Sequence, residues 1–173
     1  ANGEYALIIT LSSKLSGTYN SAVTAAKDFP DMVHIIDSAS VCIGEKILVE
    51  YALRLLNNGA DIEEIIAKTE EKASQICVVG LLNTLEYLRK GGRISNISGA
   101  LGEVLAIKPV ITIEDGAVAV LGKARGSRKG SNLLTEQIEK NGGIDFSMPF
   151  ALGYSGLDDS MLQKYIADQA RLW

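Results

Sequence analysis

Three short stretches combine residue types able to hold a negatively charged group. In Ser12-Ser13-Lys14-Leu15-Ser16-Gly17-Thr18-Tyr19, hydroxyl side chains surround a glycine just ahead of a helical pattern. The amides of a helix's first turn lack intrahelical acceptors and attract an anion, and Ser16 or Thr18 can cap them. In Arg89-Lys90-Gly91-Gly92-Arg93-Ile94-Ser95, paired glycines let the backbone approach a partner, and Arg93 can offer a two-pronged donor to a carboxylate or phosphate. The third stretch, Lys123-Ala124-Arg125-Gly126-Ser127-Arg128-Lys129, is densely basic and precedes another helix. Each has a plainer account: an N-cap with solvated serines, a helix C-cap with cations answering the dipole, and an exposed basic rim. For the two basic stretches the bare pattern favours that plainer account, and spacing alone leaves the first open.

Strand and helix patterns show how these stretches are held. Tyr5 to Leu11 is a short apolar run of the buried parallel type, and Tyr19, Ala22, Val23 and Ala26 recur at helical spacing until Pro30. Val33 to Ile36 is the next strand, ending in Asp37 and Ser38, and a helix follows with Ile47, Leu48, Tyr51, Ala52 and Leu55 until Gly59. Asp61 and Glu64 have capping-box spacing for a further helix, and Ile76 to Gly80 is again strand-like. Alternating strands and helices imply a parallel sheet with helices on its faces, a fold in which ligands bind at strand carboxyl ends. The serine-rich loop falls at such an end.

Beyond Gly80 the character changes. Asn83 and Glu86 suit the caps of a short helix that Gly91 and Gly92 terminate, and Ser98 to Ala106 reads as a closely packed helix. Lys108 to Ile113 and Ala117 to Lys123, joined through Asp115-Gly116, form a β-hairpin. A helix over Ser127 to Lys140, a strand over Phe150 to Tyr154 and a helix from Asp159 complete the chain. The fold class is α/β: a Rossmann-like part over 1–80 with flanked parallel strands, then a second α/β subdomain over 81–173 with an antiparallel hairpin. Both ends look cut, so the chain is expected to be a fragment.

Composition narrows the function. The 173 residues are 47% hydrophobic and carry a net charge of −4, which suits a globular protein and argues against broad affinity for nucleic acid. No run approaches the roughly 20 apolar residues of a membrane span, and the amino end lacks the layout of a secretory signal, so a cytoplasmic location is expected. Cys42 and Cys77 lie far apart in apolar surroundings without metal-ligand spacing, and they read as buried reduced thiols. The single histidine, His34, reads as a strand residue at a sheet end rather than a catalytic base. No P-loop or dinucleotide fingerprint occurs.

In order along the chain, Leu11 to Tyr19, Asp37-Ser38, Tyr87 to Ser95, Ile107-Lys108-Pro109-Val110 and Lys123-Ala124-Arg125 resemble the DegV family. These are bacterial fatty-acid-binding proteins of the EDD fold that serve as the FakB subunit of fatty acid kinase. The resemblance spans about Tyr5 to Leu134 and is most specific over Tyr87 to Ser95. It implies that Ser16 holds a fatty acid carboxylate assisted by the loop residues Ser13, Gly17 and Thr18, and that Arg93 and Arg125 belong to the polar set near the head group and the kinase-docking face. It further implies an acyl chain buried between subdomains, no catalytic residue, no metal, no cofactor beyond the bound fatty acid, and partnership with the kinase's catalytic subunit without stable membrane insertion. The family's Thr-Ser-Gln-Pro segment and its later histidine segment are absent from this sequence. Two other readings stay open from the residues alone. One is a phosphoryl- or acyl-transferring enzyme in which Arg93, Arg125 and Lys129 clamp phosphate while Ser16 accepts a group. The other is a regulatory module that binds protein through the basic rim.

Overall fold

The computed structural model describes residues 4–94 and 107–173. They fall into two compact units, one of residues 1–78 with 113–117 and one of residues 79–112 with 118–173.

The first unit is built on two parallel strands, β1 (Ala6–Thr10) and β2 (Val33–Asp37), in a register that sets Ile8 opposite Ile35 and Thr10 opposite Asp37. His34 lies in this ladder opposite Leu7. Helix α1 (Thr18–Ala26) connects the strands, and α2 (Ile43–Asn57) and α3 (Ile62–Ala73) follow. The buried residues of α2 are Gly44, Leu48 and Ala52, four apart and therefore on one face, and those of α3 are Ile65 and Thr69, one turn apart. With Ile36 of β2 they make the core, where Leu48 is wholly buried. Asp61 caps α3 by accepting from the Glu64 amide at 2.8 Å. The reciprocal half of the expected capping box is not made, because the Glu64 carboxylate pairs with Lys68 one turn on.

The second unit holds, apart from the hairpin tip at 113–117, a three-stranded antiparallel sheet in the order β3 (Val79–Leu81), β4 (Ile107–Glu114), β5 (Ala117–Arg125). The strand expected over Ile76 to Gly80 thus shifts to Val79–Leu81. It pairs antiparallel with β4, Leu81 opposite Val110, instead of extending the parallel ladder. Helix α4 (Glu86–Lys90) is one turn, α5 (Ser127–Lys140) spans the expected residues, and α6 (Ser160–Asp168) runs into a short 3₁₀ turn at Ala170–Leu172. α5 packs on β3 with Gly130 directly against Leu81. Tyr165 of α6 meets the Thr135 hydroxyl of α5 at 3.1 Å inside the core, with Trp173 edge-on to its ring.

Two further expectations fail. Phe150 to Tyr154 is not a strand: among the described residues no neighbour pairs with it, and Phe150, Leu152 and Tyr154 are exposed, Phe150 stacking edge-on with Phe146. Cys42 and Cys77 are free as expected, but both are exposed, because each sits at an element's threshold and not inside it. The helix expected over Ser98 to Ala106, with Ser95, lies outside the described residues. Among the described residues no helix is long and apolar enough to cross a membrane, and no group of metal-ligating side chains forms.

Candidate functional site

The serine-rich loop leaves β1 at its carboxyl end and is pinned from several sides. The Ser12 amide donates to the Ser40 carbonyl at 2.7 Å, tying it to the loop after β2. The Ser12 carbonyl accepts from both the Leu15 and Ser16 amides, at 3.0 and 3.1 Å, curling the chain into a tight turn. Asp37, the last residue of β2, receives the Ser13 amide at 3.2 Å and the Ala39 amide at 2.8 Å, so one carboxylate braces both loops. Beneath them Ser12, Ser38 and Ser40 are buried, at 1%, 0% and 3% exposure. Ala39 and Cys42 adopt left-handed backbone at φ 47° and 56°, a conformation costing about 1 to 3 kcal/mol outside glycine and typical of ligand-holding segments. Glu45 in the first turn of α2 has its carboxyl raised above the ordinary range by burial, with the Leu11 amide opposing that shift more weakly.

At the loop's open end the Ser16 hydroxyl lies 2.8 Å from that of Thr18 and accepts from the Thr18 amide at 3.3 Å. The residue at the cap position of α1 is Gly17, whose missing side chain leaves the helix without a cap, so Ser16 acts one residue earlier than expected and Thr18 is the first helical residue. Ser16 is half-buried, while Gly17 and Thr18 are exposed. Two hydroxyls thus stand at the start of a helix whose Gly17 cap position supplies no side-chain hydrogen bond, a setting matched to a carboxylate.

The second unit carries the basic residues. α4 ends in a Schellman motif, with the Arg93 amide donating to the Leu88 carbonyl at 2.9 Å and the Gly92 amide to Arg89 at 3.1 Å. Gly92 occupies the left-handed position at φ 74°, which is why glycine stands there. The Arg93 guanidinium is exposed and turns back on the Gly91 carbonyl. The amide of Glu86 is capped by Thr84 at 3.1 Å, not by Asn83. Asn83 instead joins Ser127 in accepting from the Lys108 ammonium, each at 2.8 Å. Arg125, Arg128 and Lys129 are exposed around the start of α5, whose first turn holds no acid. Cations at a helix's positive end oppose its dipole by about 0.3 to 1 kcal/mol each, an arrangement that an anionic partner relieves.

Of the residues singled out in the sequence, Ser13, Ser16, Gly17 and Thr18 are brought together in the first unit, whereas Arg93 and Arg125 belong to the second. Sequence reasoning passed over Ser12, whose hydroxyl donates to the Gly116 carbonyl 104 residues away at 2.6 Å, and Lys108 at the head of α5.

A model of the DegV family, described as an uncharacterised protein family, matches residues 1–171. The chain belongs to the DegV family. A fatty acid-binding protein of Thermotoga maritima is 36% identical over 137 residues, 78% of this chain and 48% of that protein. Among solved structures, a fatty-acid-binding DegV protein of Thermus thermophilus aligns with a TM-score of 0.74 and 33% identity, over 81% of this chain and 50% of that one. The fatty acid kinase B3 protein of Streptococcus pneumoniae, solved with linoleic acid, aligns with a TM-score of 0.72 and 31% identity, over 79% of this chain and 51% of that one. This DegV chain therefore spans about half the length of the curated relatives it matches. The expected α/β class, with parallel strands followed by a separate antiparallel element, is the class found.

Proposed function

We propose that this DegV chain is part of a carrier that binds one long-chain fatty acid and presents its carboxylate to the catalytic subunit of a fatty acid kinase. The observation that carries the reading is the Ser16 and Thr18 hydroxyl pair, 2.8 Å apart, set over the uncapped first turn of α1. Ser16 takes the carboxylate, the first-turn amides beyond Thr18 assist, and Ser13 is held by Asp37 so that the loop keeps its shape. Relatives that bind fatty acids support the ligand class, and the kinase-associated protein of Streptococcus pneumoniae supports the partner.

The energetics divide the labour. Burying a hydrocarbon tail gains roughly 0.8 kcal/mol per methylene, so about fourteen methylenes contribute around 11 kcal/mol before the costs of association. Hydrogen bonds to the carboxylate add about 1.5 to 3 kcal/mol and fix which end of the ligand faces out. The carrier contributes no nucleotide site and acts in the cytoplasm, and phosphoryl transfer is left to the kinase. Arg93, Arg125 and the exposed cations at the head of α5 supply the positive face on which an acyl phosphate forms and the kinase docks.

Solvent extraction of the purified protein followed by mass spectrometry tests the reading. Fatty acid is expected at about one per protein, or oleate or palmitate is taken up when added. An empty protein that takes up neither would end it, and ATP turnover by the chain without a partner would favour the enzymatic alternative.

A further inference from the structure

The one buried residue of the serine-rich loop, Ser12, bonds away from the loop's open end. Ser12 is 1% exposed, and its hydroxyl both donates to the Gly116 carbonyl at 2.6 Å and accepts from the Lys14 amide at 3.2 Å. Its carbonyl takes the amides of Leu15 and Ser16, and its own amide goes to Ser40. Every polar atom of Ser12 is therefore used, and one of its bonds fixes the backbone of Ser16 directly. On the other side, Gly116 is the second residue of the two-residue turn between β4 and β5, with Asp115 at φ 49° and Gly116 at φ 75°, the type I′ pattern. A side chain is excluded there for a second reason: a Cβ on Gly116 would stand 2.5 Å from the Ser12 hydroxyl oxygen. The turn's carbonyl and the absence of a side chain beside it are both matched to Ser12.

We propose that Ser12 is a positioning residue for the ligand carboxylate: anchored on the Gly116 carbonyl of the hairpin turn, it sets the orientation in which the following loop presents Ser16. A mere filler of the core would need no hydroxyl, because a buried hydroxyl carries a desolvation cost that only its bonds recover. Here those bonds run to a turn remote in sequence and to the Lys14 amide, the next residue but one of the same loop. Breaking them frees the turn that carries Ser16 without touching any atom that meets the ligand.

This inference rests on the carrier reading, and the test separates the two. Oleate and its methyl ester are titrated against wild type, Ser12→Ala, Ser16→Ala, the double variant and Gly116→Ala, with thermal melts alongside. Ser12→Ala is expected to weaken oleate about tenfold, the affinity equivalent of loosening one charge-assisted hydrogen bond, to leave the neutral ester unchanged, and to add little once Ser16 is already alanine. Gly116→Ala, strained at φ 75° in any background, reaches the same contact from the hairpin side, and combined with Ser12→Ala, where the obstructing oxygen is gone, it is expected to weaken oleate less than it does alone. Equal losses for acid and ester, full additivity with Ser16→Ala, or unchanged oleate binding in Ser12→Ala would each overturn the positioning role. If Ser16→Ala itself leaves oleate binding intact, the head-group assignment fails and the positioning role falls with it. A Ser16 effect without a Ser12 effect discards the positioning role alone.

Discussion

Replacing Ser16 by alanine removes one hydroxyl from the proposed carboxylate site and almost nothing from the fold. The hydroxyl's own protein contacts are the Thr18 hydroxyl at 2.8 Å and the Thr18 amide at 3.3 Å, both at an exposed helix start whose cap position belongs to Gly17. A substitution in such a setting usually changes stability by no more than about 0.5 kcal/mol, one or two degrees in melting temperature for a chain of this size. Against the ligand the loss is larger, because a hydrogen bond to a charged group is worth about 1.5 to 3 kcal/mol, or roughly ten- to 150-fold in dissociation constant. The hydrocarbon contribution is untouched. Affinity measured across fatty acids of increasing length is therefore expected to rise by the same increment per methylene in both proteins, with the variant's line displaced by a constant. Competition against a fluorescent fatty acid gives both slope and offset. Coincident lines would assign Ser16 to the helix start alone, and a changed slope would mean that the substitution reshapes the tail's surroundings instead of its head.

Three further outcomes are expected. Gly92→Val forces a β-branched residue into φ 74° and is expected to lower stability by about 1 to 3 kcal/mol, read by denaturant unfolding, whereas Gly92→Asn, which tolerates that backbone, is expected to cost much less. Burial raises the Tyr165 hydroxyl above its ordinary value, the Thr135 hydroxyl opposing and Glu139 reinforcing the shift. Since the native state holds this proton more tightly than the unfolded chain, its stabilising contribution is complete below about pH 10 and is lost as pH climbs beyond. Tyr165→Phe is expected to flatten that alkaline decline in unfolding free energy, while costing about 1 to 3 kcal/mol at neutral pH because Thr135 is left buried without its partner. Arg125→Ala, at an exposed position, is expected to retain fatty acid as wild type does yet to stimulate the kinase less. Loss of lipid retention instead would place Arg125 at the ligand and not at the partner.

Much of this architecture was legible because it is written locally. The period of apolar residues located α2 and α3, Asp61 announced the start of α3, and Asp115-Gly116 announced a hairpin whose turn needs two left-handed residues. The Phe150 to Tyr154 segment failed for the converse reason: its alternation matches a strand, but a strand exists only where another supplies its hydrogen bonds, and no local pattern reports that. The same limit explains β3. Val79–Leu81 is as apolar as a parallel strand, and only its pairing with β4 makes it antiparallel.

The site divides along the same line. Ser16, Gly17 and Thr18 stand out because hydroxyls around a glycine before a helix are a local anion signal. Ser12 and Ser13 differ by one position, and both lie just past the end of β1 at Thr10: Ser12 is buried with its hydroxyl bonded to Gly116, while Ser13 offers its amide to Asp37. Alternation does not mark Ser12 as the buried hydroxyl, since Ile8, of the same parity in β1, is exposed. The partner of Ser12 lies 104 residues on, and what the sequence records of that contact is a glycine already demanded by the turn. Two constraints, positive φ and the space taken by the Ser12 oxygen, converge on Gly116, and the first conceals the second. A residue doubly required is where a ligand loop and a distant hairpin turn can be built to depend on each other without either betraying the link in its own segment.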